Sequence, residues 1–273
     1  MTDLSPAIAY SIEHAREIFN GKAVLALTGA GISTDSGIPD YRGEGRVQKH
    51  PLTFDQFMSS ETNRARYWAR SFVGFNRIAL AQANPAHFAL ANAESDSKVR
   101  GIITQNVDGL HQKAGSRNVL ELHGRLDRIS CVSCQQRITR SEMDQLIKQL
   151  NPEMTKDQIV EFSPDGDAEV DVDTSFRVPN CSCGAHYKPD VVFFGEQVPK
   201  DRVGEAEQMI LEAEAILVAG SSLTVNSGLR LVKQAINQEK PVVVVNLGPT
   251  KADGFVSVKI NASTSIVLRE IFA

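Results

Sequence analysis

Apolar positions along this chain recur in two patterns, short unbroken runs and longer stretches at helical spacing. Residues 8–20 show the helical interval and end at Asn20-Gly21. Residues 22–28 then read as a buried strand, nearly all apolar over a length too short for a helix. Similar runs at residues 99–104, 119–122, 191–194, 215–219, 241–245 and 255–260 predict further strands. Helical stretches at residues 85–93, 202–213, 225–237 and 265–272 separate or follow them. β-branched runs separated by helix-length segments predict parallel strands covered on both faces, an α/β fold with a Rossmann-like sheet.

Two segments break this alternation. Residues 51–83 look helical and hold Phe54, Phe57, Met58, Tyr67, Trp68, Phe72 and Phe75, as a small module packing its own core would. Between Cys131 and Cys183 the chain is polar, with a helix predicted over residues 141–150 and an acidic stretch over 165–173 that reads as a solvated loop. The expected organisation is a Rossmann-like domain in three parts (1–48, 91–126 and 189–273). A helical module (49–90) and a cysteine-bearing module (127–188) are inserted into it, with a cleft where they meet.

Composition narrows the function classes slightly. With 33 acidic against 29 basic residues, the net charge of -4 offers no basic excess for nucleic acid, so no direct nucleic-acid binding is expected. The first residues lack a basic segment followed by an apolar run, and no stretch of about 20 apolar residues occurs. The expectation is a cytoplasmic protein without membrane contact.

The candidate chemistry lies at strand ends. Gly29-Ala30-Gly31 follows the first strand, where glycines let the backbone turn tightly and approach a pyrophosphate met by N–H groups at the next helix start. The spacing departs from the dehydrogenase fingerprint, since Thr34 stands three residues beyond Gly31 and the next glycine is Gly37. Gln105, Asn106 and Asp108 follow a second strand, Ser221 and Ser222 another, and Asn246 another. Each alone can merely cap a turn, but together they predict convergence on one nucleotide beyond the carboxyl ends of the strands.

All four cysteines form two close pairs, Cys131-x2-Cys134 and Cys181-x-Cys183, which favours a metal over a disulfide framework. Four thiolates make a closed tetrahedral zinc set, hence a structural site. The short second gap leaves His186 as an alternative to one thiolate.

Taken in order, Gly29-Ala30-Gly31-Ile32-Ser33, Gly37-Ile38-Pro39-Asp40-Tyr41-Arg42, Thr104-Gln105-Asn106-Val107-Asp108-Gly109-Leu110-His111 and Leu122-His123-Gly124 resemble the sirtuins, NAD-dependent protein lysine deacylases. So do Lys188-Pro189-Asp190-Val191-Val192-Phe193-Phe194-Gly195-Glu196, Gly220-Ser221-Ser222 and Asn246-Leu247-Gly248. The resemblance runs from about residue 20 to 268, and within the family it is nearest the branch with a mitochondrial member and many bacterial ones.

The resemblance implies that NAD is consumed and that acylated lysine side chains of proteins or peptides are the other substrate. His123 would be the general base on a ribose hydroxyl, Asn106 would hold the ribose and a water, and Asp108 the nicotinamide amide. Gly29, Ala30, Gly31 and Ser33 would surround the phosphates with Gly220, Ser221 and Ser222. Asp40, Tyr41 and Arg42 would close over nicotinamide, Gln105 would border the cofactor, and Asn246, Leu247 and Gly248 the adenosine. Phe193, Phe194, Gly195 and Glu196 would border the peptide groove. The acyl oxygen would attack C1′ as nicotinamide leaves, and the products would be free lysine and O-acyl-ADP-ribose.

Tyr67 and Arg70 stand three apart on a predicted helix and can share a face. In sirtuins that prefer acidic acyl groups, a tyrosine and arginine at this spacing bind the acyl carboxylate, whereas plain acetyl or broad acyl activity needs no such pair. A protein mono-ADP-ribosyltransferase and a non-catalytic NAD sensor are the competing functions.

Overall fold

The structure, a computed structural model, describes residues 4–41, 51–156, 162–168 and 175–273. Among these the chain runs α1 (Pro6–Phe19), β1 (Val24–Thr28), α2 (Phe54–Ser59), α3 (Glu61–Leu80), α4 (Pro85–Ser95), β2 (Val99–Thr104), α5 (Leu110–Lys113) and β3 (Val119–Glu121). It continues with β4 (Gly124–Cys131), β5 (Arg137–Thr139), α6 (Arg140–Leu150), β6 (Tyr187–Val191), α7 (Lys200–Glu212), β7 (Ala215–Ala219), α8 (Asn226–Asn237), β8 (Val242–Val245), β9 (Val258–Ile260) and α9 (Thr264–Ile271).

Six strands pair in the order β3-β2-β1-β7-β8-β9, every pair parallel. Successive side chains point to opposite faces of a strand, so Val24 and Ala26 pack with Leu90 of α4 and Leu268 of α9, whereas Leu25 and Leu27 pack with Ile210 of α7 and Val232 of α8. With both faces covered, β1, β7 and β8 bury every residue. That double cover is why these strands read as continuous apolar runs.

The second sheet is antiparallel, β5-β4-β6, and its residues alternate between buried and half-buried along β6. The expectation of a Rossmann-like strand at residues 191–194 is corrected here. The strand is Tyr187–Val191, and it belongs to the small sheet, pairing with β4. Its alternation Tyr-Lys-Pro-Asp-Val is that of a sheet with one covered face, a signal masked by the apolar residues just after it. The strand expected at 255–260 shortens to β9, since residues 251–255 form turns.

The helical stretch at 51–83 divides in two. Thr53 and Gln56 form a reciprocal capping box that starts α2, and Ser60 caps α3 with its hydroxyl on the Asn63 N–H. Trp68 and Phe57, both fully buried, centre a separate core with Met143 and Ile147 of α6 and with Ile129 and Tyr187 of the small sheet.

Candidate functional site

The carboxyl ends of β1, β2 and β7 meet at one edge of the parallel sheet. After β1 the chain makes two 3-10 turns, Ala30–Ile32 and Thr34–Ser36, where the sequence suggested the start of a regular helix. The second turn ends at Gly37, in the left-handed region at φ 80°, and Pro39 follows. The N–H groups of Gly29, Gly31, Ile32 and Ser33 in this turn donate to backbone carbonyls. The Gly31 N–H donates to Gly220 O at 2.8 Å, and a Cβ on Gly220 would lie 2.2 Å from Ile32 N. The two loops thus touch backbone to backbone, which only glycine permits.

Asn106 bridges to this turn. Its Nδ2 donates to Gly29 O and Ser33 Oγ, both at 3.1 Å. Ser33 Oγ–H in turn donates to Asp108 Oδ2 at 2.7 Å, and Asp108 Oδ1 accepts the Leu110 N–H at 2.9 Å. Burial raises the Asp108 carboxyl above its ordinary range, against the lowering effect of those two hydrogen bonds. Gln105 Oε1 accepts from Ser221 Oγ at 2.8 Å, joining the β2 and β7 ends. Asn246 is buried at the end of β8, its Nδ2 on the carbonyls of Leu247 (2.7 Å) and Gly248 (3.3 Å), while the Leu247 side chain is exposed. Ser222 Oγ pairs with Thr224 Oγ1 at 3.1 Å.

A buried polar chain supports this edge from below. Asn84, the cap of α4, donates from Nδ2 to Ile32 O at 2.7 Å and from its N–H to His87 Nδ1 at 3.3 Å. The His87 and His111 rings meet edge to face at 4.9 Å, His111 Nε2 lies 2.9 Å from Thr28 Oγ1, and Thr28 bonds Thr104 at 2.9 Å. Thr104 Oγ1 accepts the Asn106 N–H. Burial pushes His87 down to about 4 and His111 well below its ordinary value, so both rings are neutral at pH 7. Sequence reading passed over His87, whose signal is its place three residues after a capping asparagine.

His123 sits between β3 and β4. Its Nδ1 is 3.0 Å from Gln105 O and its Nε2 is 2.9 Å from Ser227 Oγ. Burial lowers its pKa, the Gln105 bond opposes this, and the Arg202 charge adds to the lowering. The ring is thus neutral and able to accept a proton at neutral pH.

Beside these residues lies a cavity of about 70 Å³ whose lining includes Ser33, Asn106, Asp108, Tyr41, Tyr67, Asp165, Phe193 and Phe194. Phe193 stacks on Phe57 with centroids 5.0 Å apart, and Tyr41 meets Phe194 edge-on at 5.7 Å. Gly195 and Glu196 are not in the lining. The Glu196 carboxylate instead accepts the Phe193 N–H at 2.9 Å and pairs with Lys188 at 3.0 Å, fixing the turn that presents the phenylalanines. Asp40 is half-buried just before Tyr41, and Arg42 lies outside the described residues.

Tyr67 reaches the cavity, but Arg70 does not line it. Arg70 Nε donates to Asp167 Oδ1 at 2.7 Å. Asp165 belongs to the acidic stretch expected to form a solvated loop; it enters the cavity lining because residues 162–168 fold back over α3, with Gly166 against Phe75 and Ile78. Burial and the neighbouring Asp167 push its carboxyl up to about 6.

The four cysteines converge at the far end of the small sheet. Cys131 Sγ is 3.5 Å from Cys183 Sγ, Cys134 Sγ is 3.6 Å from Cys181 Sγ, and all four sulfurs lie within 4.8 Å of one another. Zinc–sulfur bonds of about 2.3 Å in a tetrahedron place sulfurs about 3.8 Å apart, so the set fits zinc, and the separations exclude disulfides. His186 is outside the set, with Nδ1 against Asn180 Oδ1 at 3.3 Å. Gly184, at φ 85°, closes the tight turn that the short second gap requires.

Residues 29–227 match the family model described as the Sir2 family. The chain is 43% identical to the NAD-dependent protein deacylase Sirt4 of Drosophila melanogaster, over 98% of this chain and 88% of that protein. It is 44% identical to an NAD-dependent protein deacetylase of Xanthomonas campestris, over 98% and 91% of the two chains. The human NAD-dependent protein lipoamidase sirtuin-4, mitochondrial, is 43% identical over 92% of this chain and 82% of its own. Among solved structures, a Sir2 complex with p53 peptide and NAD+ superposes with a TM-score of 0.77 at 30% identity, covering 95% of this chain and 96% of that one.

Proposed function

The chain belongs to the Sir2 family and is an NAD-dependent protein deacylase, and from that premise we propose the roles of its residues. The observation that carries the assignment is the linked set Ser33, Asn106 and Asp108 lining one cavity, with His123 held on the carbonyl of Gln105, another residue of that lining. Asn106 and Ser33 hold and orient the nicotinamide ribose, and Asp108 accepts from the nicotinamide amide. The loops at Gly29–Gly31 and Gly220–Ser222 border the phosphates. The Asn246–Gly248 turn borders the adenosine, and Tyr41 borders the nicotinamide side.

The acyl-lysine side chain enters beside Phe193 and Phe194, which line the cavity. Its carbonyl oxygen is a weak nucleophile, so alignment with the ribose carbon supplies much of the rate. His123, its ring fixed by Gln105 O, then takes the proton of a ribose hydroxyl at Nε2. The four cysteines hold one structural zinc, which contributes folding stability and no open coordination position.

For the acyl group, the geometry favours a neutral chain. Arg70 is engaged by Asp167, and Asp165, another acid, is part of the cavity lining. The bacterial relatives support a place in a bacterial cytoplasm.

The test is a panel of acetyl-, propionyl-, succinyl- and lipoyl-lysine peptides incubated with NAD and read by mass spectrometry. Free lysine with O-acyl-ADP-ribose is expected, fastest for neutral groups. ADP-ribose attached to protein, with no acyl-ADP-ribose, would instead identify a transferase acting on protein.

A further inference from the structure

Ser227 is in contact with the atom of His123 that does the chemistry, and no role described so far uses it. It lies in the first turn of α8 and is half-buried, with Oγ 2.9 Å from His123 Nε2. The other ring nitrogen, Nδ1, faces the Gln105 carbonyl at 3.0 Å. A carbonyl oxygen has no proton to give, so Nδ1 carries the proton of the neutral ring. Nε2 therefore holds the lone pair, and the Ser227 hydroxyl donates to it. A hydroxyl can reverse this role by rotating its hydrogen, donating to neutral imidazole and accepting from imidazolium.

We propose that Ser227 is a positioning residue that holds His123 Nε2 ready as the base and carries its proton out to solvent. The proposal rests on His123 being the general base. In the resting enzyme the Ser227 O–H occupies the Nε2 lone pair. A ribose hydroxyl of bound NAD displaces it, and the Ser227 hydrogen turns away. As the ribose oxygen bonds to the acyl-derived carbon, its O–H bond breaks and the proton moves to Nε2. The imidazolium Nε2–H then gives that proton to Ser227 Oγ, which releases its own hydrogen to water. One C–O bond forms, one O–H bond breaks, one proton reaches solvent, and no oxidant is needed. Gln105 O retains Nδ1–H throughout, so the ring does not flip.

The position suits the task. The Ser227 side chain lies between the ring and the partly exposed first turn of α8. Among the described residues, the charge facing His123 is Arg202 of α7, itself bound to Asp190 of β6 at 2.7 Å. That cation opposes imidazolium, so a neutral proton acceptor at Nε2 is the partner that relieves it.

The experiment compares wild type, Ser227→Ala, Ser227→Thr and His123→Ala on an acetyl-lysine peptide with NAD. It measures deacylation, exchange of labelled nicotinamide, and the pH profile of kcat/KM. Nicotinamide leaves before the base acts, so exchange in Ser227→Ala should stay within about twofold of wild type. Deacylation kcat should fall about tenfold, part of the hundredfold or more that a general base supplies. The acid limb should move down by about half a unit, because the imidazolium loses a charge-assisted acceptor worth more than the donor the neutral ring loses. Ser227→Thr should restore both. If His123→Ala retains full deacylation, the base assignment falls and this proposal with it. With His123→Ala inactive, two results would overturn the serine assignment alone. One is an unmoved kcat and acid limb in Ser227→Ala; the other is an equal fall in exchange and deacylation accompanied by a lower Tm.

Discussion

In the parallel sheet, β1, β7 and β8 bury every residue between two helical layers, whereas β6 of the antiparallel sheet buries only alternate ones and β5 none. The first sheet is stabilised by apolar area removed from water on both faces. The second has one covered face, built around Trp68 and Phe57, and its far end is gathered by four cysteines. The cavity is lined by Ser33, Asn106 and Asp108 from the strand ends of the first and by Val191 at the end of β6 in the second, together with Phe193, Phe194 and Asp165. One enzyme thus joins a half covered on both faces to a half gathered at its far end by a four-cysteine metal site.

Removing the metal should break the comparison most severely. Structural zinc contributes about 10–16 kcal/mol in small domains, so chelation or Cys181→Ser should release the small sheet and abolish acyl-peptide turnover. Hydrogen exchange should then show β4 and β6 amides losing protection while β1 and β7 keep theirs; loss in both sheets together would mean one cooperative unit. Trp68→Ala comes next. It empties the small module's core and should cost about 3–5 kcal/mol, read as a lower denaturant midpoint, with NAD affinity less affected than peptide KM.

The parallel half carries its own liability in acid. His87 and His111 are neutral when buried, with folded pKa values below the unfolded value of about 6.5. The unfolded chain therefore binds more protons in this range, and the stability present above pH 6.5 is lost as pH falls toward about 4. The expected slope is about 1.4 kcal/mol per pH unit for each histidine, and His87→Gln should remove one proton from it. A slope that His87→Gln leaves unchanged would clear the pair.

The smallest effect sharpens the cavity. At pH 8 Asp165→Asn should raise the succinyl-to-acetyl rate ratio about threefold, by removing a carboxylate repulsion of about 0.7 kcal/mol. Below pH 6 the difference should shrink, because the native carboxyl, with its value near 6, is then protonated. Arg70→Ala should leave that ratio unchanged if the Asp167 ion pair persists during turnover.

Gly29, Gly31, Gln105, Asn106, Asp108, Ser221 and Asn246 were legible as a site because each ends an apolar run, and strand ends share one edge of a parallel sheet. The cysteines were legible from spacing. The exclusion of Arg70 from the cavity was not, since helical spacing gives a shared face but no partner, and Asp167 lies 97 residues away. Asp165 was obscured by its acidic neighbours, which resemble a solvated stretch until Gly166 packs against α3.

By itself the sequence determined which segments would be buried on both faces, where the chain would turn tightly, and which thiolates would gather. Those properties follow from local periodicity, backbone freedom and short spacing. Only the tertiary structure decided that Ser227 would meet His123 across 104 residues, that Arg70 would pair with Asp167, and that Asp165 would line the cavity. These contacts depend on how two sheets dock, and a hydrogen bond at 2.9 Å between distant side chains leaves no periodic trace in the chain.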